Sequence, residues 1–155
     1  MRTKTTKTMR YVLATAGASA ATLALLFGGS AGAHKEPHDA ATLKAFQDAF
    51  MEQVVMGDRL YHGDPAAEKQ MKVTLSKTGM ACAMCHPNAA NTHPETYPKY
   101  QVQMQKVALL RDMINWCIEK PNEGVKIDPN GAAMKALEAY IYWSNKDSKL
   151  DPGRH

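Results

Sequence analysis

The chain has 155 residues, with 19 Lys+Arg against 15 Asp+Glu. The whole excess of positive charge is Arg2, Lys4, Lys7 and Arg10, so the chain beyond residue 10 is formally neutral, 15 against 15. That balance excludes the basic footprint of a nucleic-acid-binding protein, and the length allows one small domain with a modest core.

The N-terminus reads as an export signal. A basic start is followed by an apolar run from Tyr11 to Phe27 and by the small-residue triplet Ala31-Gly32-Ala33, the three parts of a signal peptide over 1–33. The alternative, an uncleaved anchor, asks for about 20 strongly apolar residues, and this run is short and rich in Ala and Thr. The expected location is therefore the periplasm, with no membrane span in the mature chain. Residues 34–38, HKEPH, form a flexible leader, 39–146 the folded domain and 147–155 a polar tail.

From Asp39 the apolar residues Leu43, Phe46, Phe50, Val54, Gly57 and Leu60/Tyr61 recur at three or four, which predicts one face of a long helix. The breakers in His62-Gly63-Asp64-Pro65 end it, and 66–78 predicts a second, weaker helix. The proline-rich stretch 86–98 predicts an irregular loop. A third helix is expected from about Lys99 to Glu119, with Val107, Leu110, Ile114 and Cys117 on its apolar face and Pro121 and Gly124 as the stop. Asp128-Pro129 predicts the N-cap and first turn of a last helix carrying Met134, Leu137, Ile141 and Ser144 on one stripe. No stretch reads as a strand, and the expected class is all-α.

Between the second and third helices stands Cys82-Ala-Met-Cys85-His86, the attachment signature of a c-type haem. Two intervening residues let one helical turn present both thiols to the porphyrin edge, and the next residue brings an imidazole to the iron. A thioredoxin-like dithiol would need a βαβ surround, a zinc site a fourth ligand at recognisable spacing, and a Cys82–Cys85 disulfide a strained loop. A helix before the motif and two after it fit the small cytochrome c fold, in which the first and last helices cross. The segments 57–61, GDRLY, and 136–143, ALEAYIYW, suit that crossing: Gly57 allows close approach, while Tyr61 and Tyr140 supply aromatic contact.

The opposite axial position of the iron has several claimants. Met104 and Met113 fall on the expected third helix, Met134 at the start of the last helix suits core packing, and His93 lies in the proline-rich loop. Cys117 is the cysteine left over, on the apolar face just before the helix stop. Arg111 reads as a solvated helix face or a partner for a propionate or anion, Trp116 and Trp143 as haem-pocket or core packing.

The stretches MACAMCHPNAANTHPETYPKYQ, LLRDMINWCIEKPNEG and MKALEAYIYWSN resemble the haem domains of thiosulfate dehydrogenases and of the A subunit of the Sox sulfur-oxidation cytochromes. The resemblance covers about Gly57 to Asn145. It implies that Cys117, after the pair Ile114-Asn115, is the distal ligand opposite His86, with Met113 or Met104 as the alternatives. Those relatives use two haems or a second cytochrome, whereas this chain has one motif. A lone haem passes one electron and thiosulfate coupling releases two. The expectation is a periplasmic electron carrier with one covalent haem c and redox partner proteins, a second cytochrome among them. The alternative is the haem subunit of a thiosulfate-type oxidoreductase with Cys117 as sulfur carrier.

Overall fold

A computed structural model describes residues 38–154. The expected signal peptide and all of the leader but His38 lie outside the described residues.

Helix α1 (Ala40–Tyr61) starts where the Asp39 carboxylate accepts from the Thr42 N–H at 2.7 Å, satisfying one of the unpaired donors of the first turn. It ends as expected at His62-Gly63, where Gly63 takes φ +76°. Asp64 then caps α2 (Pro65–Met71), accepting from the Ala66 N–H at 2.8 Å, with Pro65 in the first turn. Its other oxygen takes the Arg59 guanidinium at 2.8 Å, and these contacts hold the carboxyl below its ordinary range. The second helix is shorter than expected, because Lys72 goes left-handed and closes it.

A single turn, α3 (Cys82–Cys85), carries the motif, and 3₁₀ turns at Pro87–Ala89 and Pro94–Thr96 shape the loop behind it. The expectation of one helix from Lys99 to Glu119 is overturned. Residues Lys99–Gln101 (β1) and Lys106–Ala108 (β2) form an antiparallel hairpin in the register Lys99↔Ala108, Tyr100↔Val107, Gln101↔Lys106. Only Leu110–Glu119 is helical (α4), begun by the Asp112 carboxylate accepting from the Leu109 N–H at 2.9 Å. Val107, assigned to the apolar helix face, is exposed on β2. The last helix, α5 (Ala132–Ser144), begins one turn later than expected. Asp128 does not cap it; its carboxylate accepts from the Asn130 N–H and its carbonyl from the Gly131 N–H, a tight turn ahead of the helix. The tail beyond 147 folds back, with the Asp151 N–H donating to the Glu95 carbonyl and the Gly153 N–H to that of Thr96.

The expected crossing of first and last helices is present. α1 and α5 meet at Gly57, where an added Cβ would overlap the carbonyl oxygen of Ala136 and come within 2.8 Å of the Tyr140 Cβ. The Tyr61 and Tyr140 rings lie 5.0 Å apart, centroid to centroid. Around the crossing, Val54, Leu60, Leu110, Ile114, Ile118, Met134, Leu137 and Ile141 form the core. This is the small cytochrome c fold, predominantly helical, with one short hairpin. α1 outruns that core: Leu43, Phe46 and Phe50 continue the buried stripe N-terminally but stay half-exposed. Among the described residues no helix is long and apolar enough to cross a membrane.

Asn115 is buried and ties the 120s loop to α4. Its amide donates to the Ile127 carbonyl and accepts from the Ile127 N–H, both at 2.9 Å. Asn115→Leu leaves both backbone groups unpaired in the interior and is expected to lower the unfolding free energy by about 3 kcal/mol. Urea titration of the two proteins checks this, and equal midpoints would show that the clamp contributes nothing.

Candidate functional site

The single turn of α3 is closed by the His86 N–H donating to the Cys82 carbonyl at 3.0 Å. It sets both Cys82 and Cys85 on a cavity of ≈ 370 Å³, and His86 lines the same cavity. His86 leaves the helical region (φ −129°, ψ 72°), and its ring Nδ1 lies 3.0 Å from the Ala90 carbonyl. A carbonyl only accepts, so Nδ1 carries the hydrogen and Nε2 keeps its lone pair for a metal. The loop that places this carbonyl passes through left-handed Asn88, Ala89 and Asn91, and the Asn145 amide at the end of α5 donates to the Ala89 carbonyl at 3.2 Å. The Tyr61 hydroxyl donates to the His86 carbonyl at 2.9 Å, linking the helix crossing to the motif.

α4 delivers the other wall. Cys117 and Met113, one turn apart, both line the cavity and both are partly buried. Leu110, Ile114, Leu137 and Ile141 make it apolar, and Trp116 and Tyr97 border it. Burial pushes the Cys82 thiol up to about 12, with the nearby Cys117 adding to it. Burial and then Cys85 push Cys117 up to about 11. Cys82 and Cys117 therefore stand neutral at pH 7. Among the described residues no three His, Cys, Asp or Glu side chains converge tightly enough for a bare metal ion. Three thiols and one oriented imidazole spread round an apolar space fit a flat iron porphyrin: two thiols for the ring edge, and donors from α3 and α4 for the metal.

The other residues singled out from the sequence fall elsewhere. Met104 sits in the turn of the β1–β2 hairpin and is not among the cavity-lining residues, because the segment expected to be helical is a hairpin. Met134 is fully buried in the core. His93 is exposed and paired with Glu95 at 3.1 Å. Arg111 is about one-third exposed, 35%, and is not among the cavity-lining residues. It makes a two-pronged contact with Glu138 of α5, at 3.1 and 3.0 Å, and pins α4 to α5. Trp143 is half-exposed under the Lys146 ammonium, 4.9 Å from its ring centroid, rather than packed in the pocket.

The cavity wall made by Tyr97, Lys99, Gln101 and Gln103, and the clamp at Asn115, carry no motif in the sequence that marks them. A second cavity of ≈ 360 Å³, between Met71–Thr74 and Val125–Ala133, is lined by neither thiol nor imidazole.

A thiosulfate dehydrogenase from Psychrobacter arcticus is 27% identical over 74 residues, which is 43% of this chain and 23% of the relative. The matched region thus spans under a quarter of that protein's length. The solved structure of thiosulfate dehydrogenase (TsdBA) from Marichromatium purpuratum, in its "as isolated" form, aligns with a TM-score of 0.49 at 23% identity, over 76% of this chain and 31% of the other. The family model described as SoxA/TsdA, cytochrome c domain, matches residues 66–150, from α2 through α5 into the tail. With more than half of its length so matched, the chain belongs to the SoxA/TsdA cytochrome c domain family.

Proposed function

We propose that this protein is a periplasmic electron carrier holding one haem c, tethered through Cys82 and Cys85 and ligated by His86 and Cys117. The observation that carries this reading is the convergence of those four side chains, from α3, its C-cap residue and α4, on one apolar cavity. When bound, a haem c supplies a one-electron ferric/ferrous couple. The protein's contribution follows from the groups around it. The Ala90 carbonyl fixes the His86 tautomer and strengthens Nε2 as a donor. The aliphatic wall of Leu110, Ile114, Leu137 and Ile141 excludes water, so little solvent has to reorganise when the charge changes. A thiolate from Cys117 is an anionic soft donor that favours the oxidised state and lowers the potential. Redox partner proteins on both sides of the carrier complete the transfer. The apolar run Tyr11–Phe27 supports export to the periplasm.

A second reading has Cys117 carrying a sulfane sulfur in a thiosulfate-type oxidoreductase. Family membership favours it, as does a thiol only partly buried in the cavity. Joining two thiosulfate ions releases two electrons, so this reading needs a second one-electron acceptor, a partner cytochrome. Thiosulfate added to the ferric holoprotein distinguishes the two. A carrier's visible spectrum stays unchanged over time. Reduction of the haem that is lost in Cys117→Ala would replace the carrier reading with the second one.

A further inference from the structure

The hairpin is two-faced. Lys99 and Gln101 of β1, and Gln103 beyond it, line the cavity, while Ala108 of β2 is buried. The alternate residues turn outward: Tyr100 is 54% exposed, Val102 75%, Val107 67% and Leu109 49%. Tyr100 and Val107 are direct cross-strand partners, so the outward side chains share one face. The cavity wall here is a single strand thick, polar within and apolar outside, the reverse of the usual arrangement for a half-buried strand.

We infer that the outer face of this hairpin is the docking surface for the electron-transfer partner, a redox protein whose own cofactor edge is ringed by uncharged apolar side chains. The inference rests on the electron-carrier reading. Three features select that occupant. The four side chains expose roughly 400 Å², the size at which an apolar patch marks a contact site. Doubled over two partners, that is about 800 Å², short of the roughly 1,200–2,000 Å² that a stable complex buries and in the range of transient redox encounters. Charge points the same way. Lys99 faces the cavity and Lys106 has Asp112 at 4.0 Å, so the rim is close to neutral and a strongly acidic or basic partner gains nothing from it.

The test uses the holoprotein in its ferrous state and stopped-flow mixing with two oxidants: a blue-copper protein with an uncharged apolar collar, and a small neutral cobalt(III) complex. Val102→Glu and, separately, Val107→Glu are expected to cut the second-order rate constant with the copper protein tenfold or more. The rate with the cobalt complex should stay within twofold. Phe46→Glu places the same charge on α1, fifteen residues and about 22 Å along the helix from the cavity-lining Tyr61, and should leave both rates unchanged. Several results overturn the inference: an unaltered rate in both hairpin variants, an equal fall in Phe46→Glu, or a wild-type protein that serves the cobalt complex but not the copper protein. If the wild type passes no electron even to the cobalt complex, the carrier reading itself fails and takes this surface with it.

Discussion

Gly57→Ala is expected to destabilise the fold by about 3 kcal/mol, although alanine is the better helix former by about 1 kcal/mol. The reason is that the new methyl group meets backbone, not a yielding side chain. It would overlap the Ala136 carbonyl oxygen and stand 2.6 Å from its carbon and 2.8 Å from the Tyr140 Cβ. Two helices would have to move apart, and the movement reaches the site. Tyr61 is four residues along α1, packs on Tyr140 and donates to the carbonyl of His86. Far-UV circular dichroism during urea unfolding measures the loss. A midpoint equal to that of the unsubstituted protein would mean that the crossing is looser than the packing described above.

Cys117→Ala is expected to change the ferric electron paramagnetic resonance spectrum and to raise the reduction potential by on the order of 100 mV, the direction set by removing an anionic donor. Met113→Ala should alter neither. The two residues line the same cavity one turn apart, so position does not separate them. Chemistry does. In the apolar cavity the Cys117 thiol is pushed up to about 11 and stays neutral unless a cation draws it down; ferric iron is such a cation and thioether sulfur gains no charge from it. Should Cys117→Ala leave the spectrum as it was while Met113→Ala transforms it, the ligand is Met113.

Much of this architecture could be read along the chain. The period of Val54, Gly57, Leu60 and Tyr61 marked the buried end of α1, the breakers at 62–65 its stop, and the small residue at Gly57 the crossing. Cys82, Cys85 and His86 fall within five residues, so one local turn brings them to the same cavity with little tertiary context. The hairpin was hidden by a rival pattern. Tyr100, Val102 and Met104 alternate strictly with Gln101, Gln103 and Gln105, a strand signal. But Val107, Leu110 and Ile114 also fall at helical spacing, and extending α4 backwards absorbed the alternation. The carbonyl that orients His86 was beyond reach for a different reason. It is placed by left-handed residues in an aperiodic loop, Asn88, Ala89 and Asn91, and only the asparagines hint at that conformation. Arg111 and Glu138 are 27 positions apart and met only once α4 lay against α5. The exposed stripe of Leu43, Phe46 and Phe50 shows the same limit. Periodicity defines a face, whereas the reach of α5 decides how much of it is covered.

Everything proposed for the site requires that the porphyrin be bonded to the polypeptide through Cys82 and Cys85. Denaturing mass spectrometry of the processed protein, made in a host that matures c-type haems, tests this most directly. The expected mass is that of the polypeptide plus one haem, retained in acidified organic solvent and lost in the Cys82→Ser, Cys85→Ser double variant. The bare polypeptide mass, with no haem or with haem that extracts freely, would contradict it.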